Sequence, residues 1–261
     1  MSAAPTPGTL YLVPTPLDHG CPLQAPLTDA LPQGTIEVAA RLSHWISENA
    51  RSTRAFLKRV AALVPLAQPL QAQHIQQLPH AIHKQGDHRR AGTWDARPLL
   101  APALQGHDLG LVSEAGMPAV ADPGSSVVRA AHDLGIEVRP LVGPVSMLLA
   151  LAASGLNGQS FAFVGYLPQE ASRRATRLRE LEAWAQQSGQ SQLFIETPYR
   201  NAALLQALLQ QLRPDTRLAV CSGLTLAQQR CTSLRVADWR RRSAALTADL
   251  SAQPAVFAIG P

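Results

Sequence analysis

Asp108 to Ser146 reads DLGLVSEAGMPAVADPGSSVVRAAHDLGIEVRPLVGPVS, and its punctuation decides the fold. The apolar run Leu109–Val112 has the length of a strand and stops at Ser113, because the small and turn-forming residues that follow continue neither a strand nor a helix. Asp122 and Pro123 have the form of a helix N-cap followed by proline at the first helical position. Val127, Val128, Ala131 and Leu134 give that helix an apolar face, and Gly135 closes it. A second strand is expected over Ile136–Val142, broken by Gly143-Pro144, with a further helix over Val145–Ala153. Strand, loop, helix, strand, loop, helix is the order of a parallel α/β sheet. Its loops after Val112 and Val142 should be neighbours at the carboxyl ends of the strands, where such sheets bind ligands. The first loop carries Glu114 amid Ala115, Gly116 and Pro118, which leaves backbone bare enough for a flat ligand to approach. Taken alone, both loops also fit ordinary βα turns.

Outside this stretch the composition sets limits. A chain of 261 residues has room for one large or two medium α/β domains, and 46% apolar with 16% charged residues suits a packed core and excludes a disordered chain. Met1–Gly8 reads as a short flexible lead, and the longest apolar run, Met147–Ala153, is too short to span a bilayer. A soluble cytoplasmic protein with no membrane partner is expected. Cys21, Cys221 and Cys231 have no paired spacing, so neither a disulfide framework nor a zinc motif is indicated. The formal charge of +5, from 23 basic and 18 acidic residues, is compatible with a polyanionic substrate, although many enzymes are mildly basic.

From the start of the chain, Gly8–Val13 (GTLYLV) is a strand ending in the stiff Pro14-Thr15-Pro16, with neither a dinucleotide fingerprint nor a phosphate loop after it. Thr28–Leu42 reads as helical with a break at Pro32-Gln33-Gly34, and Ser43–Ser47 as a short strand. Glu48-Asn49-Ala50-Arg51-Ser52-Thr53 then leads into an amphipathic helix, Thr53–Leu63. Glu and Arg at a strand end suit the positioning of a hydroxyl and a phosphate, and equally a solvated helix start. Val64–Ala103 is rich in Pro, Gln and His, with a basic stretch His83–Arg90 read as a mobile surface segment able to touch an anionic partner. His80, His83 and His88 lack a carboxylate or helical spacing to complete a ligand set, so no metal is expected. In the second half, strands over Phe161–Val164, Gln192–Ile195, Arg217–Cys221, Gln229–Val236 and Ala255–Ile259 alternate with helices from Ser172, over Ala202–Leu212 and over Asp238–Leu250. Two α/β domains follow, 1–156 and 157–261, with the join near Gly155–Ser160.

Four stretches, GTLYLVPTPL from Gly8, SEAGMPAVADPG from Ser113, PLVGPVSMLLALAASGL from Pro140 and FAFVGYLP from Phe161, together resemble the tetrapyrrole (corrin/porphyrin) methylase superfamily. Within it they are most similar to the branch that methylates the ribose 2′-hydroxyl of a small-subunit ribosomal RNA cytidine. The resemblance runs from Gly8 to Ile259 and implies an S-adenosylmethionine-dependent methyltransferase, two α/β domains with the cofactor in the cleft between them, an RNA substrate and a homodimer. By position it implies that Pro14, the loop residues Ser113, Glu114, Ala115, Gly116 and Met117, then Gly143, Val145 and Ser146, and in the second half Thr197, Leu224 and Ala255, contact the cofactor.

The substrate half departs from that pattern. Leu17-Asp18-His19-Gly20-Cys21 stands where the branch has Gly-Asn-Leu-x-Asp-Ile, and Glu48-Asn49-Ala50-Arg51 where it has Glu-Asp-Thr-Arg. If the acceptor is a hydroxyl, Glu48 is the first candidate to take its proton and Asp18 and His19 the second, with Arg51 and Arg200 holding a neighbouring phosphate. Methylation of a tetrapyrrole or other small molecule on carbon, and a cofactor-binding protein without turnover, remain the alternative readings.

Overall fold

The computed structural model describes residues 6–18, 20–21, 23–79, 94–246, 250 and 253–261. His19 and the segment holding His80, His83, Lys84, His88, Arg89 and Arg90 lie outside the described residues. The chain divides into two units, Met1–Val145 and Ser146–Pro261.

In the first unit, β1 (Leu10–Val13), β2 (His44–Ser47), β3 (His74–Gln77), β4 (Leu109–Val112) and β5 (Val138–Pro140) form one sheet in the order β3-β2-β4-β1-β5. Every pair in it is parallel. Parallel strands are covered on both faces, which is why LYLV and LGLV are apolar without alternation. Successive side chains still point to opposite faces. Trp45 packs with Ile36, Phe56, Leu57 and Val60, whereas its neighbour Ile46 packs with Leu100, Leu109, Leu111 and Val127. Gly110 lies against the first of these layers, where an added Cβ would come within 2.5 Å of the Trp45 ring.

Helices α1 (Gln33–Arg41), α2 (Ala50–Ala61) and α3 (Ser125–Asp133) complete this unit with a short helical turn, Ala101–Leu104. α2 begins three residues before its expected start, at Ala50 instead of Thr53, because Asn49 caps it by accepting from the Arg51 amide at 2.9 Å. α3 corrects the sequence reading: Gly124, at φ 136°, occupies its N-cap, so Asp122 is not the cap. β3 was not expected, since HIQQ is an edge strand with polar, half-exposed residues and lacks an apolar period.

The second unit holds β6 (Phe161–Tyr166), β7 (Ser191–Glu196), β8 (Arg217–Ser222), β9 (Arg230–Arg235) and β10 (Ala255–Gly260) in the order β6-β7-β10-β8-β9. Only β6 and β7 pair in parallel; β10 runs antiparallel to both its neighbours, and β9 antiparallel to β8. The last strand of the chain therefore sits at the centre of the sheet, and all six of its residues are buried. α5 (Ala171–Ser188), α6 (Asn201–Gln211) and α7 (Val236–Leu246) enclose a core of Leu178, Phe194, Leu204, Leu208, Trp239 and Phe257. α4 (Ser146–Ser154) lies against β8 and β10. That packing assigns α4 to the second unit and sets the division before it, earlier than the join expected near Gly155–Ser160. Among the described residues no helix is long and apolar enough to cross a membrane.

Candidate functional site

Loops from three strands meet at the carboxyl ends of β1, β4 and β5. Thr15 and Gly116 exchange backbone hydrogen bonds at 3.0 Å each way, and the Thr15 hydroxyl donates to the Ser113 carbonyl at 3.3 Å. A Cβ on Gly143 would fall 2.3 Å from Pro14 Cγ, and one on Gly116, whose φ is 79°, would lie 3.4 Å from the Pro144 carbonyl. Both glycines are thus required by close approach, and they bring Pro14, Ser113–Met117 and Gly143 together as expected. Val145 ends this unit and Ser146 opens α4 in the next, its hydroxyl donating to Met147 Sδ at 3.2 Å. Within the second unit, Ala255 pairs with Glu196 on one side and Ser222 on the other, and Gly223 donates to the Pro254 carbonyl at 3.0 Å. Thr197, Leu224 and Ala255 therefore gather at one end of that sheet.

β2 and β4 are neighbours with Ser47 opposite Val112, so the residues after them also meet. The Glu114 amide donates to Glu48 Oε2 at 3.1 Å, and Asn49 Nδ2 donates to Glu114 Oε1 at 3.0 Å. Asn49 thereby caps α2 with its oxygen and holds a carboxylate with its nitrogen. An aspartate there would set two carboxylates against each other in this chain.

Asp122 joins the same group, and this the sequence did not reveal. Burial, then the charges of Glu48 and Glu114, push its pKa up to about 7 against an opposing hydrogen bond from Ser113. Ala119 and Ala121, just ahead of it in the chain, have φ of 63° and 68°, a left-handed backbone that costs a non-glycine residue energy and is kept where the surroundings enforce it. An Asp-Pro pair ahead of a helix looks like a cap in any sequence; its acidic neighbours come from strand ends far away in the chain.

A cavity of about 420 Å³ opens beside this group, lined by Thr15, Asp18, Asn49, Arg51, Ser52, Thr53, Arg59 and Glu114 among others. Arg51, exposed on the first turn of α2, lines it; Glu48 is not among the lining residues and stands behind Glu114. Asp18 is buried and both its oxygens are held by Arg59 at 3.0 Å, while Arg59 also donates to the Ala25 carbonyl at 2.7 Å. This ion pair commits both oxygens of Asp18 to Arg59, which sets it apart from the other proton acceptors the sequence offers. Arg200 pairs with buried Glu196 at 2.9 Å and so neutralises that carboxylate. No group of three His, Cys, Asp or Glu side chains among the described residues could hold a metal ion.

The raised Asp122 pKa has a consequence for stability. Below about pH 4 both folded and unfolded chains hold the proton and Asp122 adds no pH dependence. Between about 4 and about 7 the unfolded chain ionises while the folded one resists, so the group costs stability that reaches on the order of 2 to 4 kcal/mol above pH 7. Asp122→Asn should therefore raise the melting temperature at pH 8 and change it little at pH 4. An equal shift at both values would remove Asp122 from the charge cluster.

A family model described as tetrapyrrole (corrin/porphyrin) methylases matches residues 44–239. Ribosomal RNA small subunit methyltransferase I of Mesorhizobium japonicum is 34% identical over 224 residues, 85% of this chain and 66% of that protein. The protein of the same name from Vibrio cholerae is 29% identical over 83% of this chain and 65% of its own length. The chain thus spans just under two thirds of these relatives. Among solved structures, uroporphyrin-III-C-methyltransferase from Thermus thermophilus aligns with a TM-score of 0.51 at 19% identity, covering 97% of this chain and 94% of that one. The methyltransferase CobJ aligns with a TM-score of 0.54 at 17% identity and the same coverage. At such identities these two carry the fold alone.

Proposed function

The chain belongs to the tetrapyrrole (corrin/porphyrin) methylase family, and from that premise we propose that it is an S-adenosylmethionine-dependent methyltransferase acting on a ribose 2′-hydroxyl of ribosomal RNA. The names of its relatives support a ribosomal RNA substrate. The observation that carries it is the cavity in which Arg51, hydroxyls of Thr15, Ser52 and Thr53, and the Glu114 carboxylate share one space. Its volume suits a single nucleoside, and a guanidinium beside hydroxyls and a carboxylate suits a phosphate next to a sugar.

The cofactor would be held in the first unit by the backbone where Pro14, Gly116 and Gly143 meet, with Ser113, Ala115, Met117 and Val145 in the same loops. Gly143 lets Pro14 pack directly on the backbone of the loop after β5, which fixes the two loops against each other. When bound, S-adenosylmethionine supplies a methyl group already activated on a sulfonium. What remains for the protein is positioning and the handling of one proton. Glu114, read from the sequence as a cofactor contact, reaches the acceptor cavity, and we assign it the proton of the attacking hydroxyl. Arg51 holds the adjoining phosphate. Glu48 acts through Glu114 by accepting its amide hydrogen and is a positioning residue.

This division of labour can be measured. Glu48→Gln keeps an oxygen for the Glu114 amide and should cost less than about tenfold in kcat, whereas Glu48→Ala should cost at least tenfold more than Glu48→Gln. Equal losses in the two variants would make Glu48 itself the base. A homodimer in the cytoplasm completes the proposal, resting on the family and on the prevalence of twofold oligomers. Light scattering at micromolar concentration should return twice the 27.9 kDa chain mass, and a single-chain mass would refute it.

The deciding experiment compares ribosomal RNA from parent and deletion strains by mass spectrometry of nucleosides, followed by methyl transfer from labelled cofactor to the deletion-strain subunits. One 2′-O-methyl group should vanish and be restored by the purified protein. An unchanged set of ribose methyl groups would rule out this acceptor.

A further inference from the structure

Two cysteines that sequence spacing left unrelated are brought face to face by the second sheet. Cys221 on β8 and Cys231 on the edge strand β9 are direct register partners in an antiparallel pair. Directly opposed residues project their side chains from the same face, and their Cα atoms lie about 4.5 or 5.5 Å apart according to the type of pair. Both separations fall within the roughly 4.4 to 6.8 Å that a disulfide spans. Both thiols are free; Cys221 is buried with its Sγ 3.8 Å from the Ala150 carbonyl, and Cys231 is exposed. We propose that Cys221 and Cys231 form an oxidation site that a hydroperoxide closes into a disulfide, stapling β9 to β8 at the base of loop 223–229.

The order of events follows from exposure. Cys231 meets the oxidant first. Its thiolate attacks one peroxide oxygen, the O–O bond breaks, and water leaves once the displaced oxygen takes up the proton the thiol gave up, leaving a sulfenic acid on Cys231. The Cys221 sulfur then attacks the Cys231 sulfur, the S–O bond breaks, and hydroxide leaves with the Cys221 proton as a second water. Two thiols lose two electrons and the peroxide is reduced to two waters. Burial, and then the nearby Cys231 thiol, push Cys221 up to about 12, so that Cys221 is not the thiol the peroxide meets first.

The staple closes a loop that already carries backbone strain at Thr225, whose φ is 67°. Among the described residues the loop's hydrogen bonds run from Leu226 to Gly223 and from Gln229 to Leu226 at 2.9 Å each and from Thr225 to the Gln229 side chain at 3.2 Å, with Gly223 also donating to the Pro254 carbonyl at 3.0 Å. A covalent link at its base removes openings that begin by fraying the edge strand.

The test is one equivalent of hydrogen peroxide on the folded, full-length protein, read by intact mass, peptide mapping and amide hydrogen exchange. The expected result is a loss of two hydrogen masses, a link between Cys221 and Cys231, and exchange in 223–229 slowed by about tenfold or more. The exposed variant Cys231→Ser should lose all three, and Cys21→Ser should keep them. A link to Cys21, or oxidation of Cys231 to sulfinic acid without a link in protein whose circular dichroism is unchanged, would overturn the pairing. A 221–231 link that leaves exchange in 223–229 unaltered would overturn the staple.

Discussion

Glu114→Gln is expected to lower the rate constant for methyl transfer by about two orders of magnitude while leaving cofactor affinity within about threefold of the parent. The variant keeps the side-chain shape and an oxygen for Asn49 Nδ2, which now donates to Glu114 Oε1 at 3.0 Å. What it loses is the basic carboxylate on the cavity wall, and a positioned general base is worth about 10²- to 10⁴-fold. Single-turnover transfer to unmethylated small subunits at saturating cofactor reads the rate, and titration calorimetry reads affinity. A tenfold loss of affinity with the rate preserved would return Glu114 to the cofactor side, where the sequence pattern set it. The same variant removes one of the charges that raise Asp122, so the stability difference between pH 4 and pH 8 should shrink.

Arg59→Ala should be the most destabilising single change in the cavity wall, by about 3 to 5 kcal/mol. Asp18 keeps only 5% of its side-chain surface exposed, and the substitution strands its charge without the guanidinium that holds both oxygens. The Ala25 carbonyl loses its donor as well. At roughly 2 to 4 °C per kcal/mol for a chain of this size, the melting temperature should fall by about 10 °C. Adding Asp18→Asn should recover much of the loss, because the penalty lies in an unpaired buried charge. A fall of under 2 °C in the single variant would show that Asp18 is solvated, and would restore it as a candidate base.

Much of the first sheet was legible because its strands declare themselves locally. LYLV and LGLV are apolar without a break, and each stops at a residue that cannot continue a strand. β3 was not legible, since an edge strand buries little and HIQQ has no apolar period to betray it. In the second unit the alternation of strands and helices was read correctly. Alternation does not encode direction, however, and the insertion of β10 between β7 and β8 depends on pairing between strands distant in the chain.

By itself the sequence determined most of the strands and helices, the meeting of the loops after β4 and β5, and the glycines those loops require. These follow from the period of apolar residues and from turn chemistry, which act over a few positions. Tertiary structure alone decided the charges of the site. Glu48 meets the Glu114 amide across 66 positions, Arg59 meets Asp18 across 41, and Asp122 acquires its raised pKa from burial and then from Glu48 and Glu114. A carboxylate's role depends on burial and on the sign of its neighbours, and neither exists until the strands have paired. The same motif positions thus hold a paired structural acid at Asp18, a protonatable one at Asp122 and a cavity-facing one at Glu114, a distinction no spacing along the chain encodes.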